Sequence, residues 1–168
     1  MNYYEQELEN LIKFGYVTNL TDLAMHYDGK LSEEFINKYF DFLYMKDIIY
    51  YQNISEQFLE DNIDKFDRNA LTAMSSKRSL SENFIKKFSD KIDWHNLYYI
   101  NKSENFIEEF QNKVIWGRVS SCCSLSENFI RKFQNKINLL YLRLDETKFS
   151  QKFILEFKNN LNLNYFTL

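Results

Sequence analysis

Apolar and polar positions alternate with a helical period along most of the chain. Phe84, Ile85, Phe88 and Ile92 fall on one face of a helix, and the aromatic pairs Phe84/Phe88, Phe106/Phe110 and Phe129/Phe133 recur at i, i+4. Each stripe follows the same short signal. Leu80-Ser81-Glu82-Asn83-Phe84-Ile85 returns as Leu125-Ser126-Glu127-Asn128-Phe129-Ile130, with weaker copies at 31–36, 54–59, 102–107 and 149–154. The serines stand at 32, 55, 81, 103, 126 and 150, spaced by 23, 26, 22, 23 and 24 residues. A sustained period of this length predicts stacked repeats.

Within a unit the residues predict two short helices. Ser81 reads as an N-cap whose hydroxyl accepts an orphan backbone N–H, and Glu82 puts negative charge at the positive end of the helix dipole. Leu80 before the cap and Ile85 after it have the spacing of a hydrophobic staple, as do Leu31/Ile36, Ile54/Leu59, Leu125/Ile130 and Phe149/Ile154; Lys102 breaks the pattern. Asp93 is expected to cap a second helix holding Trp94 and Leu97, with counterparts at Asp67/Leu71, at Asn138 with Leu139 and Leu142, and at Asn162 with Leu163 and Phe166. Trp116 and Val119 fill those places in the fourth unit. Helices of about 10 and about 7 residues are too short to stand alone and must stack. The expectation is an all-α fold, a short α-solenoid or compact superhelix of about six helix pairs. It forms a single domain over 1–168, with an N-terminal helical cap at 1–30 and repeats of about 23 residues over 31–168.

In the cap, Tyr4, Leu8, Leu11, Ile12 and Phe14 form a stripe ending near Gly15, Leu20, Leu23 and Ala24 suggest a second short helix, and Glu5, Glu7 and Glu9 are expected to solubilise the outer face. The C-terminal stretch 160–168 ends on apolar residues, a surface suited to burial or to a homodimer.

Composition narrows the functional classes. Proline is absent and glycine occurs three times, at Gly15, Gly29 and Gly117. That argues against a turn-rich β-sandwich and excludes glycine-rich phosphate loops. The net charge of −3 hides an asymmetry: residues 1–84 carry 15 acids and 8 bases, residues 85–168 carry 9 acids and 13 bases. Adjacent Cys122 and Cys123 do not suit a disulfide with each other, which points to a reducing, cytoplasmic setting. The N-terminus has no signal-peptide pattern and no apolar run is long enough to span a membrane, so no membrane partner is expected.

The Leu-Ser-Glu-x-Phe-Ile…Lys-Ile-Asp-Trp unit resembles short helical repeats of phages, large DNA viruses and low-GC bacteria, over residues 31–168 and best at 80–97 and 125–142. The abundance of Asn, Lys, Ile, Tyr and Phe is the bias of AT-rich coding sequence and agrees with such a source. The resemblance implies a fold without catalytic residues. It also implies, by analogy, a protein-binding inhibitor that occludes a host protein, including host defence proteins, in the host cytoplasm.

Candidate chemistry is sparse. A Cys-dependent enzyme would use Cys122 or Cys123 with His95 or His26, but adjacent thiols do not share one base, and buried thiols are the better reading. The spaced pairs of a zinc site are missing, so neither metal nor cofactor is expected. The acidic pairs Glu33-Glu34, Glu60-Asp61 and Glu108-Glu109 read as solvated helix faces. Lys65, Lys91, Lys113 and Lys136 stand ten residues after successive serines. Stacked in a row, with Lys87, Arg131 and Lys132 close by and Tyr98 and Tyr99 to stack bases, they form a candidate partner surface for an acidic protein or a nucleic acid. The simpler reading is cations at helix C-termini. The tyrosine pairs Tyr3-Tyr4, Tyr50-Tyr51 and Tyr98-Tyr99 cannot both be buried on a helix, and an exposed tyrosine is a common anchor.

Overall fold

The computed structural model describes residues 3–16, 20–22, 31–77, 80–99, 102–142 and 149–161, and among these every regular element is helical. The chain divides into two compact units, Met1–Leu97 and Tyr98–Leu168. The first contains α1 (Tyr3–Lys13), α2 (Glu33–Lys38), a 3-10 turn at Phe40–Phe42, α3 (Met45–Tyr51), α4 (Glu56–Asn62), a 3-10 turn at Ile63–Lys65, α5 (Arg68–Ser75) and α6 (Glu82–Lys87). The second contains α7 (Glu104–Glu109), α8 (Trp116–Cys122), α9 (Glu127–Lys132), a 3-10 turn at Leu139–Tyr141 and α10 (Gln151–Phe157).

The Leu-Ser signal starts a helix every time. Ser32, Ser55, Ser81, Ser103, Ser126 and Ser150 are extended, and each hydroxyl accepts the backbone N–H three residues on, at 3.1–3.2 Å. The staple residues are buried: Leu31, Leu80 and Leu125 before the caps, Ile36, Ile85 and Ile130 after them. The i, i+4 aromatics touch as expected, with ring centroids 4.9 Å apart for Phe84/Phe88, 5.0 Å for Phe106/Phe110 and 4.6 Å for Phe129/Phe133.

These first helices are shorter than expected, six or seven residues rather than about ten. The second aromatic of each pair is the C-cap, with φ near −110° at Tyr39, Phe88 and Phe133, and the chain then turns away. Ending there brings Ile92 and Ile137 back into the core, where both are buried. The second elements vary. Asp67 caps α5 through the Ala70 N–H (2.8 Å). Asp93, expected to cap a helix, instead closes a turn at 94–96, accepting the His95 N–H (3.1 Å) and the Asn96 amide (2.9 Å). Asn138 caps only a 3-10 turn, through the Leu140 N–H. Trp94 and Trp116 sit alike, each indole N–H donating to the carbonyl five residues back. The second elements of consecutive repeats pack together, α3 on α5 in the first unit and α8 on the turn Leu139–Tyr141 in the second.

The N-terminal helix ends where expected. Gly15 has φ +73°, the Tyr16 N–H donates to Leu11 O (2.9 Å) and the Gly15 N–H to Ile12 O (3.0 Å), the paired bonds of a Schellman cap that favours glycine. Residues 20–22 are helical, while Leu23, Ala24, His26 and Gly29 lie outside the described residues, as does the apolar stretch 162–168 with its Asn162, Leu163 and Phe166.

Candidate interaction surface

Much of the polar sequence joins one repeat to the next. The backbone N–H of five N-cap serines donates to a glutamate near the start of the preceding helix. In the first unit Glu5 takes Ser32 (2.5 Å), Glu33 takes Ser55 (2.6 Å), and Glu56 takes both the N–H and the hydroxyl of Ser81. In the second unit Glu104 holds Ser126 in the same two-point way and Glu127 takes Ser150 (2.5 Å). The cap serine's own N–H precedes the helix and needs a partner, and the carboxylate supplies a charge-assisted one. This corrects the expectation for Glu5. It does not solubilise a face; it is fully buried and clasps the next helix. Glu9, one turn on, pairs with Lys38 (2.6 Å).

That second pairing also repeats. Glu60 pairs with Lys87, Glu108 with Lys132, and the polarity reverses where Arg131 meets Glu156 (3.0 Å). A further link joins the second elements. The buried hydroxyls of Ser75 and Ser120 accept the N–H of Asp93 (2.8 Å) and Asn138 (2.9 Å), eighteen residues on in both cases, while donating back into their own helices. Sequence reading missed both serines and the clasping role of the glutamates. The signal was the Ser-Glu adjacency in five of the six copies, which a cap alone does not require.

The candidate cations are engaged in contacts within and between repeats. Lys91 lies 3.3 Å from Asp64, Lys136 donates to Gln111 (3.0 Å) and sits 5.4 Å over the Trp116 ring, and Lys113 lies 5.9 Å over the Phe110 ring. Arg131 bridges Glu127 (3.2 Å) and Glu156, and Lys132 pairs with Glu108. Lys91, Lys113 and Lys136 stand in turns beyond the helices, which corrects their reading as helix C-terminal charge, whereas Lys65 closes the 3-10 turn Ile63–Lys65 and Lys87 and Lys132 occupy last turns. Tyr98 is half-buried. Tyr99 is 2% exposed, and its hydroxyl accepts the Ile115 N–H (3.1 Å), so it is a core residue and not a stacking platform.

The thiols differ from each other. Cys123 is buried, donates to Tyr99 O (3.3 Å), and burial pushes its thiol up to about 12, which suppresses the thiolate. Cys122 is half-buried at the end of α8. His95 is exposed in its turn. Among the described residues no three or more His, Cys, Asp or Glu side chains gather as a metal site, and no helix is long and apolar enough to cross a membrane.

What stands in solvent is aromatic, and it is concentrated in the first unit. Phe42 is 75% exposed, Tyr44 69%, Tyr50 69% and Tyr51 52%, with Tyr3, Phe14 and Tyr16 also exposed. Two of these depart from the repeat. Phe42 holds the position that Lys65, Lys91, Lys113 and Lys136 fill elsewhere, ten residues after the serine. Tyr44 holds the position of Asp67, Asp93 and Asn138, and it makes no side-chain cap for α3. Ile115 is the other non-capping residue there, but it is half-buried. Tyr44 therefore neither caps nor packs. Comparison with protein-family models, with curated proteins and with solved structures finds no match to this chain.

Proposed function

We propose that this protein is a non-enzymatic protein-binding module whose first unit presents an aromatic docking surface centred on Phe42, Tyr44, Tyr50 and Tyr51. The observation that carries this reading is the double departure at Phe42 and Tyr44. A capping Asp or Asn at position 44 contributes about 1 kcal/mol, and Tyr44 forgoes it while leaving its ring in water. A local rule broken without structural gain marks a functional site. Each aromatic side chain brings about 150–250 Å² of contact area, and clustered exposed rings are how binding hot spots are built.

The finer reading follows the resemblance to phage and viral repeats: the partner is a host protein, and docking occludes it. The nucleic-acid reading is weaker because Lys91, Arg131 and Lys132 are already paired with carboxylates. A cysteine enzyme is weaker still, given the raised thiol of Cys123.

Affinity capture from host lysate followed by mass spectrometry tests the proposal, using the wild type and Phe42→Lys/Tyr44→Asn, which restores the repeat pattern. The expected result is a protein recovered by the wild type and lost by the variant. Equal recovery by both, or recovery of nucleic acid alone, overturns it.

A further inference from the structure

The chemistry around the exposed rings points to the partner they fit, an inference that rests on the docking reading above. In α3, Met45, Ile48 and Ile49 turn inward, leaving Lys46, Tyr50 and Tyr51 outward, and the Tyr50 and Tyr51 rings meet edge-on at 5.1 Å. One turn earlier, Tyr44 walls a groove of about 250 Å³ together with Lys46, Asp47 and Asp67.

Two observations bear on the occupant. The first is charge. Residues 1–97 carry 17 acids and 11 bases, a net of −6. Asp41, exposed between Phe40 and Phe42, and Asp47, on the groove wall, have no ion-pair partner among the described residues. Of the two cations lining the groove, Lys65 is already held by Asn62 at 3.0 Å and Lys46 stands in solvent. The second is the way this unit covers three of its rings. Lys38 lies 5.4 Å over Tyr39, Lys65 lies 5.2 Å over Phe40 and Lys87 lies 5.4 Å over Phe88. Phe42, Tyr44, Tyr50 and Tyr51 carry no such cation from among the described residues.

We infer that the surface formed by Phe42, Tyr44, Tyr50 and Tyr51 with Asp41 and Asp47 binds an arginine-rich segment of a protein partner. Guanidinium planes stack on aromatic faces, and the same group pairs with a carboxylate through two parallel N–H donors, which an ammonium does not do. A polyanion such as RNA is repelled by the net charge of this unit. A second copy of the chain, docking its more basic 98–168 region, is the competing occupant.

The test uses the full chain and a fluorescein-labelled ten-residue peptide of alternating Arg and Gly, with Lys-Gly and Glu-Gly peptides as comparisons, read by anisotropy at two salt concentrations. The Arg peptide is expected to bind about fivefold tighter than the Lys peptide, and the Glu peptide not at all. Tyr44→Asn/Tyr50→Ser is expected to weaken the Arg peptide about tenfold, and Asp41→Asn/Asp47→Asn to weaken it and flatten its salt dependence. All four positions are at least partly exposed, and matching circular dichroism spectra establish that the variants fold. Unchanged affinity in the aromatic variant overturns the inference. So does concentration-dependent self-association of the wild type that the same variant abolishes. If the aromatic variant loses the captured cellular partner but keeps its Arg-peptide affinity, this inference falls and the docking reading stands; if it keeps both, both fall.

Discussion

The first unit leaves Phe42, Tyr44, Tyr50 and Tyr51 in solvent, whereas the second, built from the same module, exposes only Leu140, Tyr141 and Leu155 among the large apolar side chains of its described residues. At the position of Phe42 the second unit has Lys113 and Lys136, each lying over a ring of its own repeat. At the position of Tyr44 it has the capping Asn138 and the half-buried, non-capping Ile115. Where a repeat follows its own rules, the capping serine and the clasping glutamate each answer a backbone group. Where it departs from them, the departure costs stability and gains no packing, and that is where a partner is to be sought.

The largest effect that sharpens this comparison lies in the clasps. Glu5→Ala strands the Ser32 N–H beside a buried position, with an expected loss of about 3 kcal/mol. Glu127→Ala removes the same clasp at a solvated site, with a smaller drop in melting temperature. Thermal denaturation with single-tryptophan variants separates the two, because Trp94 reports on the first unit and Trp116 on the second. Equal losses would show that burial does not set the strength of the clasp.

Next in size are the caps. Ser126→Ala is expected to cost about 1 kcal/mol through the lost cap, whereas Tyr44→Asn is expected to add about 1 kcal/mol by supplying one. A destabilised Tyr44→Asn protein would mean that the ring packs after all and would break the contrast between the units. Smaller still is the charge pairing. Lys132→Glu is expected to cost about 0.5 kcal/mol, recovered in Glu108→Lys/Lys132→Glu, which reproduces the polarity of Arg131 and Glu156.

Acid makes the finest comparison. Hydrogen bonds from the Ser150 N–H and hydroxyl, then Arg131, hold the Glu127 carboxyl below its ordinary range, and the Asn96 amide, Thr72 hydroxyl and His95 N–H do the same for Asp93. A carboxyl whose folded pKa is depressed stabilises the fold above its unfolded value, about 4, and loses that contribution as pH falls through the folded value. Both units are therefore expected to lose stability below about pH 4. Asp93→Asn should flatten the slope reported by Trp94, and Glu127→Gln the slope reported by Trp116.

The sequence by itself determined the helical class, the repeat phase, the six serine caps, the aromatic seam and the end of the first helix near Gly15, because each depends on residues within a few positions of one another. Only the tertiary structure decided how far each helix runs, that Asp93 closes a turn and not a helix, that Glu5 is a buried clasp, that Tyr99 belongs to the core, and that Phe42 and Tyr44 stand in water. The contacts of Tyr99, Asp93 and Glu5 are with partners 16 to 27 residues away. Spacing along a helix says which side chains share a face; the neighbouring repeat decides whether that face is covered.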